Sequence, residues 1–242
     1  MIVHHPCDSH DARGGAGLVD MLVLHYTGMQ SASAALERLS DPDVPVSAHY
    51  LIDEDGRIIR LVEEHHRAWH AGVAFWRGSS NINARSIGIE LVNPGHAFGY
   101  RPFPEAQMAA LIDLAGDVLG RHPIPPRNVV GHSDVAPSRK MDPGELFDWP
   151  RLAAAGIGLW PEEDGVRGEA GGMDPAVFEP GAFVAMLARF GYTTDDRFAT
   201  IKAFQRHFRP ERVNGRIDFE TVRRMVALLE LCGEAVSGVS QA

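Results

Sequence analysis

The sequence predicts an α/β fold, a mixed central β-sheet flanked by helices, followed by a small C-terminal three-helix domain. Three observations carry this reading. Short, strongly apolar runs at residues 21–26, 86–92 and 129–131 read as buried strands. Asp55-Gly56, set between apolar runs at 46–52 and 57–62, is a hairpin signal, and the antiparallel pair it implies makes the sheet mixed. Beyond an acidic, glycine-rich break at 160–172, apolar residues recur only at helical spacing. At 242 residues the chain fits one main domain plus a small partner, drawn here as 1–159, a linker at 160–172, and 173–235.

The elements follow in order. Residues 1–20 hold His4, His5 and His10 and a glycine-rich turn at Gly14-Gly15-Ala16-Gly17; histidines on an arm without a scaffold carry no site. Residues 21–26 form a central strand that delivers His25 at its end. Residues 31–39 form a short helix with a serine-rich start suited to capping, stopped by Pro42 and Pro45. Residues 63–72 are too irregular for a strand and lead to Trp76, Asn81 and Asn83, a mixture that suits a groove wall. Trp69 and Trp76 suit a core equally well. In the strand 86–92, Glu90 is the only ionisable group, so it either faces water or is buried for a reason.

Residues 104–122 are the clearest helix: Met108, Leu111, Ile112, Ala115, Val118 and Leu119 share one face that packs on the sheet. Ile124-Pro125-Pro126 leads into the third strand, a Pro/Gly-punctuated loop from His132 to Gly144, and a short helix at 149–155. Helical patterns at 183–190, 197–208 and 219–231 close the chain, and Phe204 and Phe208, four apart, are core residues.

Composition narrows the function. Hydrophobic residues at 45% and charged residues at 23% are ordinary globular values, and a net charge of −9 leaves no basic footprint for nucleic acid. The two cysteines, Cys7 and Cys232, form no metal or disulfide pattern. No run reaches membrane-spanning length, and the start lacks a basic segment followed by an apolar one, so the expected location is cytoplasmic, or periplasmic for a processed form.

Two strands thus end on histidines, His25 and His132, and the loop after the second carries carboxylates. Two imidazoles and one carboxylate suit a zinc ion with a fourth position open to water. Asp142 is the preferred third ligand, because Pro143-Gly144 fixes its backbone and Lys140 stands beside it; Asp134 competes with it or orients a histidine. Glu90 is the candidate general base and Lys140 the cation for a developing oxyanion.

The ordered segments VLHYT, SAHYLIDEDGRI, RAWHAG, SIGIELVN and GHSDVAPSRKMDPG resemble the type 2 family of zinc-dependent N-acetylmuramoyl-L-alanine amidases, related to bacteriophage T7 lysozyme and animal peptidoglycan recognition proteins. The resemblance covers about residues 21–155. It implies one Zn2+ on His25, His132 and Asp142, a catalytic Glu90, and Lys140 near the substrate carbonyl. Some relatives place a tyrosine as catalytic partner where this chain has Ala48, which leaves that role to Glu90. The candidate substrate contacts are His49, Trp69, His70, Asn83 and Arg85. The implied reaction cuts the amide between N-acetylmuramic acid, or its 1,6-anhydro form, and L-alanine, with peptidoglycan or muropeptide fragments as partners. Residues 174–232 resemble the three-helix peptidoglycan-binding domain of cell-wall hydrolases. A recognition protein that binds muropeptides without cutting them is the alternative, and the complete ligand set speaks against it.

Overall fold

The computed structural model describes residues 2–14, 18–161 and 179–234. The glycine turn at 15–17, the expected linker from 162 onward and the first residues of the expected C-terminal domain lie outside them.

In chain order the elements are β1 (Ile2–His4), β2 (His10–Ala12), β3 (Met21–Tyr26), α1 (Ala32–Ser40), β4 (Tyr50–Ile52), β5 (Ile58–Arg60) and β6 (His66–Ala68). Then follow α2 (Ile82–Arg85), β7 (Ser86–Leu91), α3 (Gly95–Phe98), α4 (Glu105–Arg121), β8 (Val129–Gly131), α5 (His132–Val135), α6 (Trp149–Ala154), α7 (Pro180–Phe190), α8 (Arg197–Phe208) and α9 (Phe219–Leu231). The sheet order is β1-β5-β4-β7-β3-β8; β4 and β5 pair antiparallel through the Asp55-Gly56 hairpin, and the other neighbours pair parallel. The mixed sheet is therefore as expected.

Two features depart from the sequence reading. The N-terminal arm is structured: β1 extends the sheet edge beside β5, and β2 pairs antiparallel with β6. The segment judged too irregular for a strand thus contains β6, whose three residues His66, Arg67 and Ala68 carry almost no apolar signal. Arg67 pairs instead with Asp11 across the ribbon, and the His10 and His66 rings stack with centroids 4.2 Å apart.

Strand alternation divides the core by sheet face. Leu22, Leu24, Ile87, Ile89, Leu91 and Val129 pack against Met108, Leu111, Ala115 and Val118 of α4. On the opposite face, α1 covers Leu51 and Ile59 through Ala35 and Leu39. Ser31 caps α1 by accepting the Ala34 N–H at 3.2 Å. On that same face Met21, Val23 and Val130 share one continuous core with Trp76 and with Phe183, Phe190, Phe204 and Phe208 of the C-terminal helices. Trp76 is completely buried and meets Tyr192 and Phe190 edge-on, so it is core and no groove wall. Gly191 lets the chain pass this ring, since a Cβ there would lie 2.9 Å from the indole. Among the described residues, no helix is long and apolar enough to cross a membrane.

Candidate active site

Three parallel strands deliver the site at their carboxyl ends, where open α/β sheets place ligands. The β3–β7 register pairs His25 with Glu90, so both side chains leave the same sheet face as neighbours. β8 ends at Gly131 and hands the chain to His132. Ten residues later Asp142 returns beside it, held by the Ser133 N–H donating to the Asp142 carbonyl at 2.9 Å. Asp142 precedes a cis peptide to Pro143.

His25 Nδ1, His132 Nδ1 and Asp142 Oδ2 form a triangle with sides of 2.9, 3.0 and 3.0 Å. The opposite nitrogens decide what this triangle is. His132 Nε2–H donates to the Ala71 carbonyl at 3.0 Å. His25 Nε2–H donates to His70 Nδ1 at 3.0 Å, His70 Nε2–H reaches Ser86 Oγ at 3.0 Å, and Ser86 donates to the Ile82 carbonyl at 2.7 Å. With every outer nitrogen donating outward, both Nδ1 atoms turn lone pairs inward onto a carboxylate oxygen. Three converging acceptors repel one another unless a cation lies between them, and ligand bonds of about 2.0–2.2 Å fit a triangle of this size. The residues present therefore fit a bound metal ion, and among the described residues this is the only His/Cys/Asp/Glu group that does.

Protonation agrees with a ligand role. Burial, then the His132 ring, lowers His25 to about 4, leaving it neutral. Glu90 moves the other way: burial, then the Asp142 charge, raises it to about 8, with Lys140 partly offsetting. Its Oε2 is buried without a hydrogen-bond partner in the protein. An orphaned carboxylate oxygen beside a metal-ligand triangle is positioned for proton transfer.

Beside the triangle opens a cavity of about 350 Å³, lined by Tyr26, Arg38, Glu90, Arg139 and Lys140 as well as the triad's His132 and Asp142. Of the five candidate substrate contacts, His70 lines this cavity, and its ring supports His25. The other four are not among its lining residues. His49 is fully buried, its Nδ1 accepting the Gly88 N–H at 2.9 Å and its Nε2 facing Arg13 at 2.9 Å. Asn83 Oδ1 accepts the His70 and Ala71 backbone N–H groups at 3.2 and 2.8 Å. Arg85 pairs with Asp20 before the start of β3, and the Trp69 backbone N–H donates to Ser47 Oγ at 2.9 Å. Asp134, the rival carboxylate, turns away from the triangle, accepting the Gly131 N–H at 2.7 Å.

Ala71 and Ser86, which fix the histidine tautomers, were not singled out from sequence. The signal for them is Gly88: a Cβ there would lie 2.4 Å from the His70 ring, so the glycine in SIGIE marks a ring crossing the sheet.

A family profile described as N-acetylmuramoyl-L-alanine amidase matches residues 15–145. The chain belongs to this N-acetylmuramoyl-L-alanine amidase family. It is 41% identical over 235 residues to N-acetylmuramoyl-L-alanine amidase AmiD of Escherichia coli, spanning 89% of this chain and 84% of AmiD. With 1,6-anhydro-N-acetylmuramyl-L-alanine amidase AmpD of Enterobacter cloacae it shares 34% identity, over 62% of this chain and 88% of AmpD. The E. coli AmiD structure, a complex with anhydro-N-acetylmuramic acid-L-Ala-D-γ-Glu-L-Lys, superposes with a TM-score of 0.82 at 40% identity, covering 92% and 93% of the two chains. AmpDH3 of Pseudomonas aeruginosa, complexed with anhydromuramic pentapeptide, gives 0.82 at 36% identity, covering 90% and 94%. The amidase likeness thus extends through the C-terminal helices, and the chain is an amidase enzyme.

Proposed function

We propose that this amidase holds one zinc ion on His25, His132 and Asp142 and hydrolyses the amide between the lactyl group of N-acetylmuramic acid, or its 1,6-anhydro form, and L-alanine. The observation that carries this is the inward-facing lone-pair triangle with the orphaned Glu90 carboxylate beside it. Zinc bound there supplies a Lewis acid for the carbonyl and acidifies water.

The chain's own groups do the rest. Glu90 takes a proton from the attacking water and returns it to the departing nitrogen, so the products are a free lactyl carboxylate and a peptide amine. Its burial makes it a stronger base than a solvated carboxylate. Lys140, which lines the same cavity, faces the negative charge that grows on the carbonyl oxygen. The His70–Ser86 relay keeps His25 in its ligand tautomer, and Arg139 holds the segment that carries the Ala71 carbonyl, donating to Ala71 O at 3.1 Å. A sugar-peptide fragment is the substrate class favoured by the cavity size and by the ligands in the AmiD and AmpDH3 complexes. The C-terminal helices, on their resemblance to wall-binding domains, add contact with peptidoglycan.

Mass spectrometry of a digest tests the reading. Zinc-loaded protein is given a MurNAc-peptide and its 1,6-anhydro counterpart, with and without chelator. Release of a free peptide beginning with L-alanine, lost with chelator and restored by zinc, is expected; cleavage inside the peptide, or chelator-resistant cleavage, contradicts it.

A further inference from the structure

The loop 132–142 supplies two of the three metal ligands, yet its only regular element is the single turn of α5. A ligand loop must be held to a fraction of an ångström if affinity and rate are to be high. The clamp comes from the far end of the chain. Asp134, two residues after His132, is completely buried, and a buried carboxylate needs donors on both oxygens. One donor is local, the Gly131 N–H. The other two are distant: the Tyr192 hydroxyl at 2.7 Å on Oδ1 and His207 Nδ1–H at 2.7 Å on Oδ2.

His207 is itself locked. Its ring stacks on Trp149 at 3.6 Å, where the loop exits into α6, and on Phe208 at 3.7 Å. The preceding residue, Arg206, also buried, lies 3.6 Å from Glu145, three residues after Asp142. Glu145 continues to His96 at 3.2 Å, and His96 to the hydroxyl of Tyr26, which lines the cavity beside His25. Adjacent residues at the end of α8 thus meet the ligand loop at Asp134 and the chain just beyond it at Glu145. A tethered wall-binding module has no need to bury its polar residues against the catalytic loop. We propose that α8 and Tyr192 are a buttress of the metal-binding loop, with His207 and Tyr192 as positioning residues that act through Asp134 on His132.

This rests on the zinc reading of the triangle, so the experiment separates the two. Full-length wild type, Tyr192→Phe, His207→Phe, His207→Asn and the core control Phe183→Leu are compared for zinc affinity by chelator competition and for kcat and KM on a 1,6-anhydro-MurNAc-peptide. His207→Phe keeps the stacking and removes the donor; His207→Asn restores a donor. The expected result is that His207→Phe and Tyr192→Phe weaken zinc binding by about tenfold or more, in the range for residues that orient ligands from behind. The same variants lower kcat with KM little changed, and His207→Asn recovers much of both losses. Phe183→Leu loosens the helices without touching the loop and keeps wild-type zinc affinity. Folded His207→Phe and Tyr192→Phe proteins with wild-type affinity and kcat overturn the buttress, as does an equal loss in Phe183→Leu. Failure of the wild type itself to bind zinc overturns the site reading instead.

Discussion

Glu90 combines three properties rarely found together: a central strand position, a buried oxygen without a partner, and an ionisation raised to about 8. Glu90→Gln keeps shape and removes the base. Turnover should fall by roughly 10²–10⁴ with metal content unchanged by elemental analysis, whereas near-normal turnover removes Glu90 from the mechanism. Asp142→Ala, by contrast, should lose the metal itself, and stoichiometric zinc in that variant would mean the third ligand lies elsewhere. Buried histidines give the metal-free protein a distinct pH dependence. In the folded state His25 is lowered to about 4 and His49 to about 3, chiefly by burial, and His70 lies well below its ordinary value for the same reason. The unfolded chain therefore binds more protons than the folded one as pH falls below about 6.5. Stability from these groups is present above that value and lost on the way toward pH 4. Glu90 has the opposite sign: raised on folding, it costs stability as pH rises from the ordinary glutamate range through about 8. Thermal melts of chelator-treated protein should peak between pH 6 and 8, and a melting temperature flat across pH 4.5–8 would show that these rings are not buried neutral.

At the scale of elements, β3, β7 and β8 were legible because a buried parallel strand needs a continuous apolar run, and each such run brings a residue of the candidate site to within one position of its end. The amphipathic face of α4 and the Asp55-Gly56 hairpin were legible for equally local reasons. The β2–β6 ribbon was not, since stacked histidines and an Arg67–Asp11 pair hold it, and neither leaves a hydrophobic period. The two histidines of the candidate metal triangle could be read from strand ends, but their outer partners could not: Ala71 contributes a carbonyl, which any residue has, and Ser86 a hydroxyl whose meaning depends on a ring that arrives from another segment. The roles of His49, Asn83 and Arg85 were equally hidden, because polar side chains bonded to backbone or to a distant acid look like polar side chains awaiting a ligand. Gly88 joins the two levels. Gly88→Ala places a methyl 2.4 Å from the His70 ring, which must move and release His25 Nε2. Metal affinity should drop by about tenfold or more with the secondary structure retained in far-ultraviolet circular dichroism; unchanged affinity would mean that His70 can yield without consequence for His25.

For the whole molecule, sequence division into a catalytic domain, a linker and a separate bundle meets a core that ignores such a boundary. Met21, Val23 and Val130 of the sheet and Trp76 are buried in the same cluster as Phe183, Phe190, Phe204 and Phe208. Polar contacts cross at the same place: the Arg77 N–H donates to the Gly191 carbonyl at 2.9 Å, and Arg127 pairs with Glu234. Periodicity along a helix reveals which face is apolar, but not whether that face meets another helix or a sheet far upstream, which is why the shared core escaped the sequence reading. A shared core has a thermodynamic signature. If the sheet face loses its cover when the helices melt, the exposed apolar area couples the two transitions, and unfolding becomes a single event. Calorimetry of the metal-free chain should show one transition with equal calorimetric and van't Hoff enthalpies. Phe204→Ala, made in a fully buried ring of α8, should cost about 3–5 kcal/mol and shift that one transition as a unit, lowering the loss of β-sheet signal together with the loss of helix. Two resolved transitions, with only the helical one moved by Phe204→Ala, would show that the helices dock on the sheet without being integrated into its core.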